Sequence, residues 1–179
     1  KIINPEKNAY VLESEAYVDK YFKKNYGSLG QFIYPTTIEE SEKWFNNFLQ
    51  ERFNNFGDYE DAIVKDNLTL NHSILSPLMN VGFITPNKVI SDSLQYSYKN
   101  DIPINSSEGF IRQIMGWREF IRGIYCVKGT FERTRNYWGF TRKIPASFYT
   151  GNTGIEPIDD SIKKVLKTGY LHHIERLMV

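Results

Sequence analysis

The segment SSEGFIRQIMGWREFIRGIYC, residues 106–126, constrains the fold more than any other stretch of the chain. Phe110, Ile114, Trp117, Ile121 and Ile124 follow one another at alternating spacings of four and three, which places them on one stripe of an α-helix and on no face of a strand. A helix with one apolar stripe must bury it against neighbouring elements. Strand signals are scarce elsewhere, so the expected architecture is all-α. Asn105 and Glu108 are placed to cap this helix. At about 100° per residue, Arg118 and Arg122 fall on one flank of the stripe, while Arg112 and Glu119 point away from it.

Other segments agree with a helical chain. Ser14 precedes SEAYVDKYFKKNYG, where Tyr17, Val18, Tyr21 and Phe22 share a face and Gly27 offers a stop; residues 1–13 show no clear period. SLGQFIYP is turn-like. Thr37 and Glu40 match a capping box opening a helix with Trp44, Phe45, Phe48, Leu49 and Phe53 inward. Thr85 and Pro86 are a cap and first residue for PNKVISDSLQYSYKN. Residues 129–157 read as loop, and Pro157, Asp159 and Asp160 open a final helical pattern that Gly169 either bends or splits. No repeat or low-complexity segment interrupts the series.

Composition narrows the function classes. The 22 Lys and Arg residues nearly balance 21 Asp and Glu, a net charge of +1, so any basic surface must be local. One cysteine excludes an internal disulfide and a multi-cysteine metal centre built from this chain alone, which suits a reducing, cytoplasmic setting. No apolar run reaches spanning length and no signal peptide is visible, so no membrane role is expected. The 179 residues suffice for one domain or a large piece of one, and a start at Lys1 with an end inside the apolar pattern at Val179 predicts a domain incomplete at both ends. Aromatic residues make up 15%, enough for core filling or for stacking on flat ligands.

Three short constellations could carry chemistry. In NHSILSPLMNVG, residues 71–82, Ser76 and Pro77 mark a helix start, and the hydroxyls of Ser73 and Ser76 either cap it or hold a phosphate. In GWREFIRG, residues 116–123, Trp117 with Arg118 and Arg122 is either a core tryptophan beside solvated arginines or a stacking surface beside an anion site. In YLHHIERLMV, an unbroken helix would turn His173 to the buried side with Ile162, Leu166 and Gly169, and rotate His172 by about 100° from it. Adjacent histidines do not face one another on a helix, so no metal site is expected from them. A histidine reaching a closed pocket would give and take a proton near neutral pH.

In identity and order, HSILSPLMNVGFITP, EGFIRQIMGWREFIRGIY and YLHHIERLMV resemble the flavin-binding helical domain of the photolyase and cryptochrome superfamily. The nearest branch is that of the deoxyribodipyrimidine photolyase-related proteins, which includes the prokaryotic (6-4) photolyases. The resemblance spans roughly residues 35–179, with YEDAIV at 59–64 also fitting. It implies residues 1–35 as a linker and helix leading into the domain, and 36–179 as part of the domain itself. It also implies FAD as cofactor, with His72, Ser73, Leu75 and Ser76 about its diphosphate, Tyr59 nearby, Gln113, Trp117 and Arg118 in the flavin pocket, and Arg176 approaching the flavin. His172 and His173 would supply the proton in light-driven repair of pyrimidine photoproducts, most specifically the (6-4) lesion. A flipped lesion in damaged DNA would be the partner, met by a monomer, with Arg142 and Lys143 on its phosphates.

The same motifs fit a cryptochrome-like blue-light photoreceptor without repair, and, with less to explain them, a purely structural helical interaction domain. Some positions depart from the resemblance. Pro157 stands where the branch's iron-sulfur cluster would take its first cysteine, so no cluster ligand is expected in this chain, and Cys126 and Tyr149 stand where tryptophans of an electron-transfer route are expected.

Overall fold

A computed structural model describes residue 2 and residues 5–179, and every regular element among them is helical. In chain order these are α1 (Ala9–Phe22), α2 (Ile38–Glu51), a 3₁₀ turn (Phe53–Asn55), α3 (Phe56–Tyr59), α4 (Ser76–Asn80), α5 (Pro86–Lys99), α6 (Ile104–Thr134), α7 (Ser147–Thr150), α8 (Glu156–Thr168) and α9 (His173–Met178).

The core forms where α2, the 3₁₀ turn, α3, α4, α5 and the first turns of α6 meet. Phe45, Phe48, Phe53, Phe56 and Phe110 are all buried there. Phe110 lies 4.8 Å from Phe48 and 5.5 Å from both Phe53 and Phe56, ring centre to ring centre, so one α6 side chain joins three rings. Offset and edge-on pairs of this kind add stability beyond the area they bury. Thr37 caps α2 by accepting from the Glu40 N–H at 3.2 Å, but the Glu40 carboxylate returns to the N–H of Thr36 rather than that of Thr37. Thr85 caps α5 through the Lys88 N–H, with Pro86 at the first helical position. Phe53 is inward as expected, although α2 ends before it at Glu51.

The crossing of α3 and α6 is tight because of one glycine. A Cβ on Gly57 would lie 2.5 Å from the Asn105 carbonyl carbon and 2.5 Å from the Ser106 nitrogen, closer than packed atoms allow. The Gly57 N–H instead donates to Ser106 Oγ at 2.8 Å, and that hydroxyl donates to Asn54 O at 2.8 Å.

Five expectations change. The long helix α6 runs 31 residues, past the expected end near 126 and into the stretch read as loop. Asn105 does not cap it: its side chain donates to Asp58, and Glu108 pairs with Arg112. The predicted stripe is buried only at Phe110 and Ile114, whereas Trp117 and Ile121 are half exposed, because the core elements flank only the first turns of α6. Helix α1 begins at Ala9, where Asn8 accepts from the N–H groups of Tyr10 and Val11; its buried residue is Val11, and the Tyr17, Val18, Tyr21 and Phe22 face is exposed.

The last correction matters most for the site. Gly169 adopts a left-handed conformation, φ 70° and ψ 9°, and its N–H closes α8 on Val165 O at 2.8 Å. That turn ends the helix and resets its phase. Buried Tyr170 and Leu171 follow, then α9. The result is the reverse of what an unbroken helix dictates: His172 is buried, 2% exposed, and His173 is exposed.

Candidate functional site

A cleft of about 430 Å³ opens between the 60–79 segment, the middle of α6 and the chain from Tyr170 to Arg176. That volume lies within the roughly 300–1,000 Å³ of small-molecule sites. The first wall is pinned from behind. Arg52 is buried and donates from Nε to His72 O at 3.2 Å, and the Trp44 indole donates to Ser73 O at 2.9 Å. Ile74 is held at φ 58°, a left-handed conformation that costs a β-branched residue about 1–3 kcal/mol, so the packing around it must over-determine this turn.

At the floor of the cleft two imidazoles stack. The rings of His72 and His172 lie 4.6 Å apart and 12° from parallel. His72 Nδ1 sits 3.1 Å from Thr69 O, and its Nε2 sits 3.0 Å from Glu60 O. His172 Nε2 is 3.5 Å from the buried Glu175 carboxylate, and its side chain faces the Glu175 N–H in the capping box that opens α9, but neither ring nitrogen makes a full hydrogen bond among the described residues. Burial pulls both imidazoles below their usual range; at His72 the two carbonyls resist this, and at His172 the neighbouring His72 charge deepens it. Glu175 accepts from Lys164 at 2.8 Å, and Lys164 also pairs with Asp160 at 2.8 Å and donates to Val64 O.

Two cations reach the cleft without counter-ions among the described residues, Arg118 from α6 and Arg176 from α9. Arg118 donates to Ile114 O at 2.9 Å and points its other nitrogen to Met79 Sδ at 3.5 Å; Arg176 donates from Nε to Leu171 O at 2.8 Å. Neither guanidinium meets a carboxylate among the described residues. Trp117 meets the His173 ring edge-on at 6.0 Å at the cleft's mouth. Across from them, Glu60 keeps one carboxylate oxygen buried without a partner, and burial with the nearby Asp61 charge raises its pKa despite Arg112.

Of the residues singled out in the sequence, His72, Ser73, Ser76, Gln113, Trp117, Arg118, His172, His173 and Arg176 all line this one cleft. Leu75 does not, being 1% exposed within the core, and Tyr59 is half exposed on α3 outside the lining. Arg142 and Lys143 are exposed in the segment between α6 and α7, also away from it. No side chain caps α4, which removes the capping alternative for Ser73 and Ser76. Reasoning from sequence passed over Glu60, Asp61, Met79 and Tyr170, which share the lining, and the Asp160–Lys164–Glu175 cluster behind it. The i,i+4 spacing of Asp160 and Lys164 was the one signal for it. No group of three or more His, Cys, Asp or Glu is arranged to hold a metal among the described residues, Cys126 is exposed, and no described helix is long and apolar enough to cross a membrane.

No protein-family profile matches the chain. It is 35% identical over 162 residues to a (6-4) photolyase of Agrobacterium fabrum, an alignment that takes in 90% of this chain and 32% of that protein. It is 40% identical over 112 residues to an uncharacterized protein of Acanthamoeba polyphaga mimivirus, covering 62% of this chain and 85% of that one. The chain thus spans about a third of the photolyase's length, and its three motif blocks, distant in sequence, converge on one cleft of an all-helical fold. Over nine tenths of its length the chain is photolyase-related.

Proposed function

We propose that this chain is the flavin-binding helical part of a light-dependent DNA photolyase acting on (6-4) pyrimidine photoproducts, with residues 36–179 belonging to that domain and 1–35 leading into it. The observation that carries this reading is the convergence of His72, Ser73 and Ser76, of Gln113, Trp117 and Arg118, and of His172, His173 and Arg176 on a single cleft. Similarity to a (6-4) photolyase supports it.

The donor set suits FAD. Arg118 and Arg176 reach the cleft with no carboxylate to neutralise them among the described residues, and the Ser73 and Ser76 hydroxyls do not cap α4, a combination fit for a diphosphate beside a planar ring system. Bound there, FAD supplies the light-driven electron that reductive repair needs. The chain's own residues orient, shield and move a proton. Trp117 offers an aromatic edge at the mouth where an extruded base would enter. His173, exposed beside it, reaches substrate and so donates the proton that assists return of the displaced group. His172 stands behind it, buried, and sets the floor. Arg142 and Lys143 approach phosphates of the damaged strand.

The test is the visible absorbance of the purified full-length protein, with release and identification of any chromophore, followed by blue-light repair of an oligonucleotide carrying one (6-4) lesion. Bound FAD and restored pyrimidines are expected. Bound FAD with no repair by the fully reduced protein would replace this reading with that of a blue-light photoreceptor, and a colourless protein that takes up no FAD would remove both.

A further inference from the structure

We propose that His72 and His172 form a single-proton pair in which His72 takes the proton and His172 is held neutral, making His72 a positioning residue for the cleft. The two buried rings lie face to face at 4.6 Å, so two imidazolium charges cannot share the site and the pair titrates as a unit.

Geometry decides which ring is charged. A carbonyl oxygen only accepts, and His72 presents one ring nitrogen to Thr69 O at 3.1 Å and the other to Glu60 O at 3.0 Å. Both contacts are hydrogen bonds only when both nitrogens carry hydrogen, that is, in the imidazolium. A neutral His72 would set a lone pair against a carbonyl oxygen at bonding distance. His172 has no such pair of acceptors: its side chain faces the Glu175 N–H in the capping box that opens α9, a contact that asks for a lone pair, and its Nε2 faces Glu175 Oε2 at 3.5 Å, neither contact being a full hydrogen bond.

Charge balance points the same way. On the α8 and α9 side stand Asp160, Lys164 and Glu175, two negative charges and one positive, so a single proton on the pair brings the buried group to neutrality and a second overshoots it. His173 on α9 adds only its own titration. From the end of α3 come the Glu60 and Asp61 carboxylates, with Arg112 of α6 reaching Glu60 at 3.9 Å. Asp61 and Glu175 both favour charge on His72; on His172 Glu175 favours it as well, but a charged His72 opposes it more strongly, and Lys164 and His173 add to that opposition. Protonated, His72 ties Thr69 to Glu60 across the cleft floor, and its neighbour stays neutral behind His173.

Neither flavin nor DNA is needed for this pairing, which stands apart from the repair reading. The test is a titration of the protein labelled with ¹⁵N-histidine, from about pH 8 to about pH 4, each histidine assigned by substitution. His72 should take up its proton before His172, with both ring nitrogens moving to imidazolium positions while His172 keeps a neutral tautomer. In His72→Phe, which stacks but carries no proton, the His172 midpoint should rise by about one pH unit, the order expected for a charge at that distance in a partly screened interior. His72→Gln, which keeps one donor, should raise it likewise. Protonation of His172 first, joint protonation of both rings, or an unmoved His172 midpoint in the two variants would overturn the proposal; should both variants fail to fold, the order in the unaltered protein decides it.

Discussion

Lys164 shows how much one residue can hold. Its ammonium, 9% exposed, lies between Asp160 and the fully buried Glu175 and pairs with both. Removing one partner of such a pair leaves an uncompensated charge, whereas replacing both with apolar groups of similar volume does not. Lys164→Ala is therefore expected to lower stability by about 3–5 kcal/mol in urea unfolding, and Lys164→Met with Glu175→Leu to recover most of it; a double variant no better than the single one would mean the charges themselves are needed. The buried imidazoles add a pH dependence. Both have native values below the unfolded value of about 6.5, so below that pH the unfolded chain binds more protons and stability falls as pH drops toward the lowered native values. Glu60, raised by burial, works in the opposite direction at lower pH. Urea midpoints should fall between about pH 7 and pH 5.5, with a shallower slope in His72→Phe; a rise across that window would mean that the folded pair binds its proton more tightly than the unfolded chain does. At this scale the sequence was half legible. It named both histidines, but which one is buried depends on Gly169, whose left-handed turn no periodicity could time.

Among elements, the starts of α2 and α5 were readable, whereas those of α1 and α6 and the extent of α6 were not. Thr37 and Thr85 announce α2 and α5 because a side-chain oxygen beside the first free N–H groups is a local device. The length of α6 is not local in that sense: its last turns carry Tyr125, Val127 and Phe131 into solvent, so no change of pattern marks where burial ends. The α3–α6 crossing depends on a glycine that periodicity does not register. Gly57→Ala would drive a methyl group into the Asn105–Ser106 peptide, which the backbone can relieve only by parting the helices, at about 1–3 kcal/mol. Ser106→Ala would leave the Gly57 N–H and Asn54 O without their shared partner, at about 1–3 kcal/mol. Thermal unfolding checks both. Because the two sites touch, the double variant should lose less than the sum of the singles, and strict additivity would show that the crossing does not act as one unit.

For the whole molecule, a net charge of +1 conceals an uneven distribution. Between residues 128 and 149 stand Lys128, Arg133, Arg135, Arg142 and Lys143 against Glu132 alone, interleaved with the exposed rings of Phe131, Tyr137, Trp138 and Phe140. Motif order made the cleft legible from sequence, since three blocks supply most of its lining; the basic segment was legible only by reading charge locally, and its exposure only once the second half of α6 proved to face solvent. Cations beside aromatic faces bind polyanions by releasing counterions, with affinity falling steeply in salt. Binding of a DNA oligonucleotide should therefore weaken log-linearly with salt, and Arg142→Ala with Lys143→Ala should lower the slope by about 0.9 for each duplex phosphate no longer neutralised. The same pair of substitutions should leave retained flavin unchanged, because neither residue lines the cleft. An unaltered salt slope would remove these two residues from the DNA interface, and loss of flavin would mean that the segment between α6 and α7 supports the cleft rather than the strand.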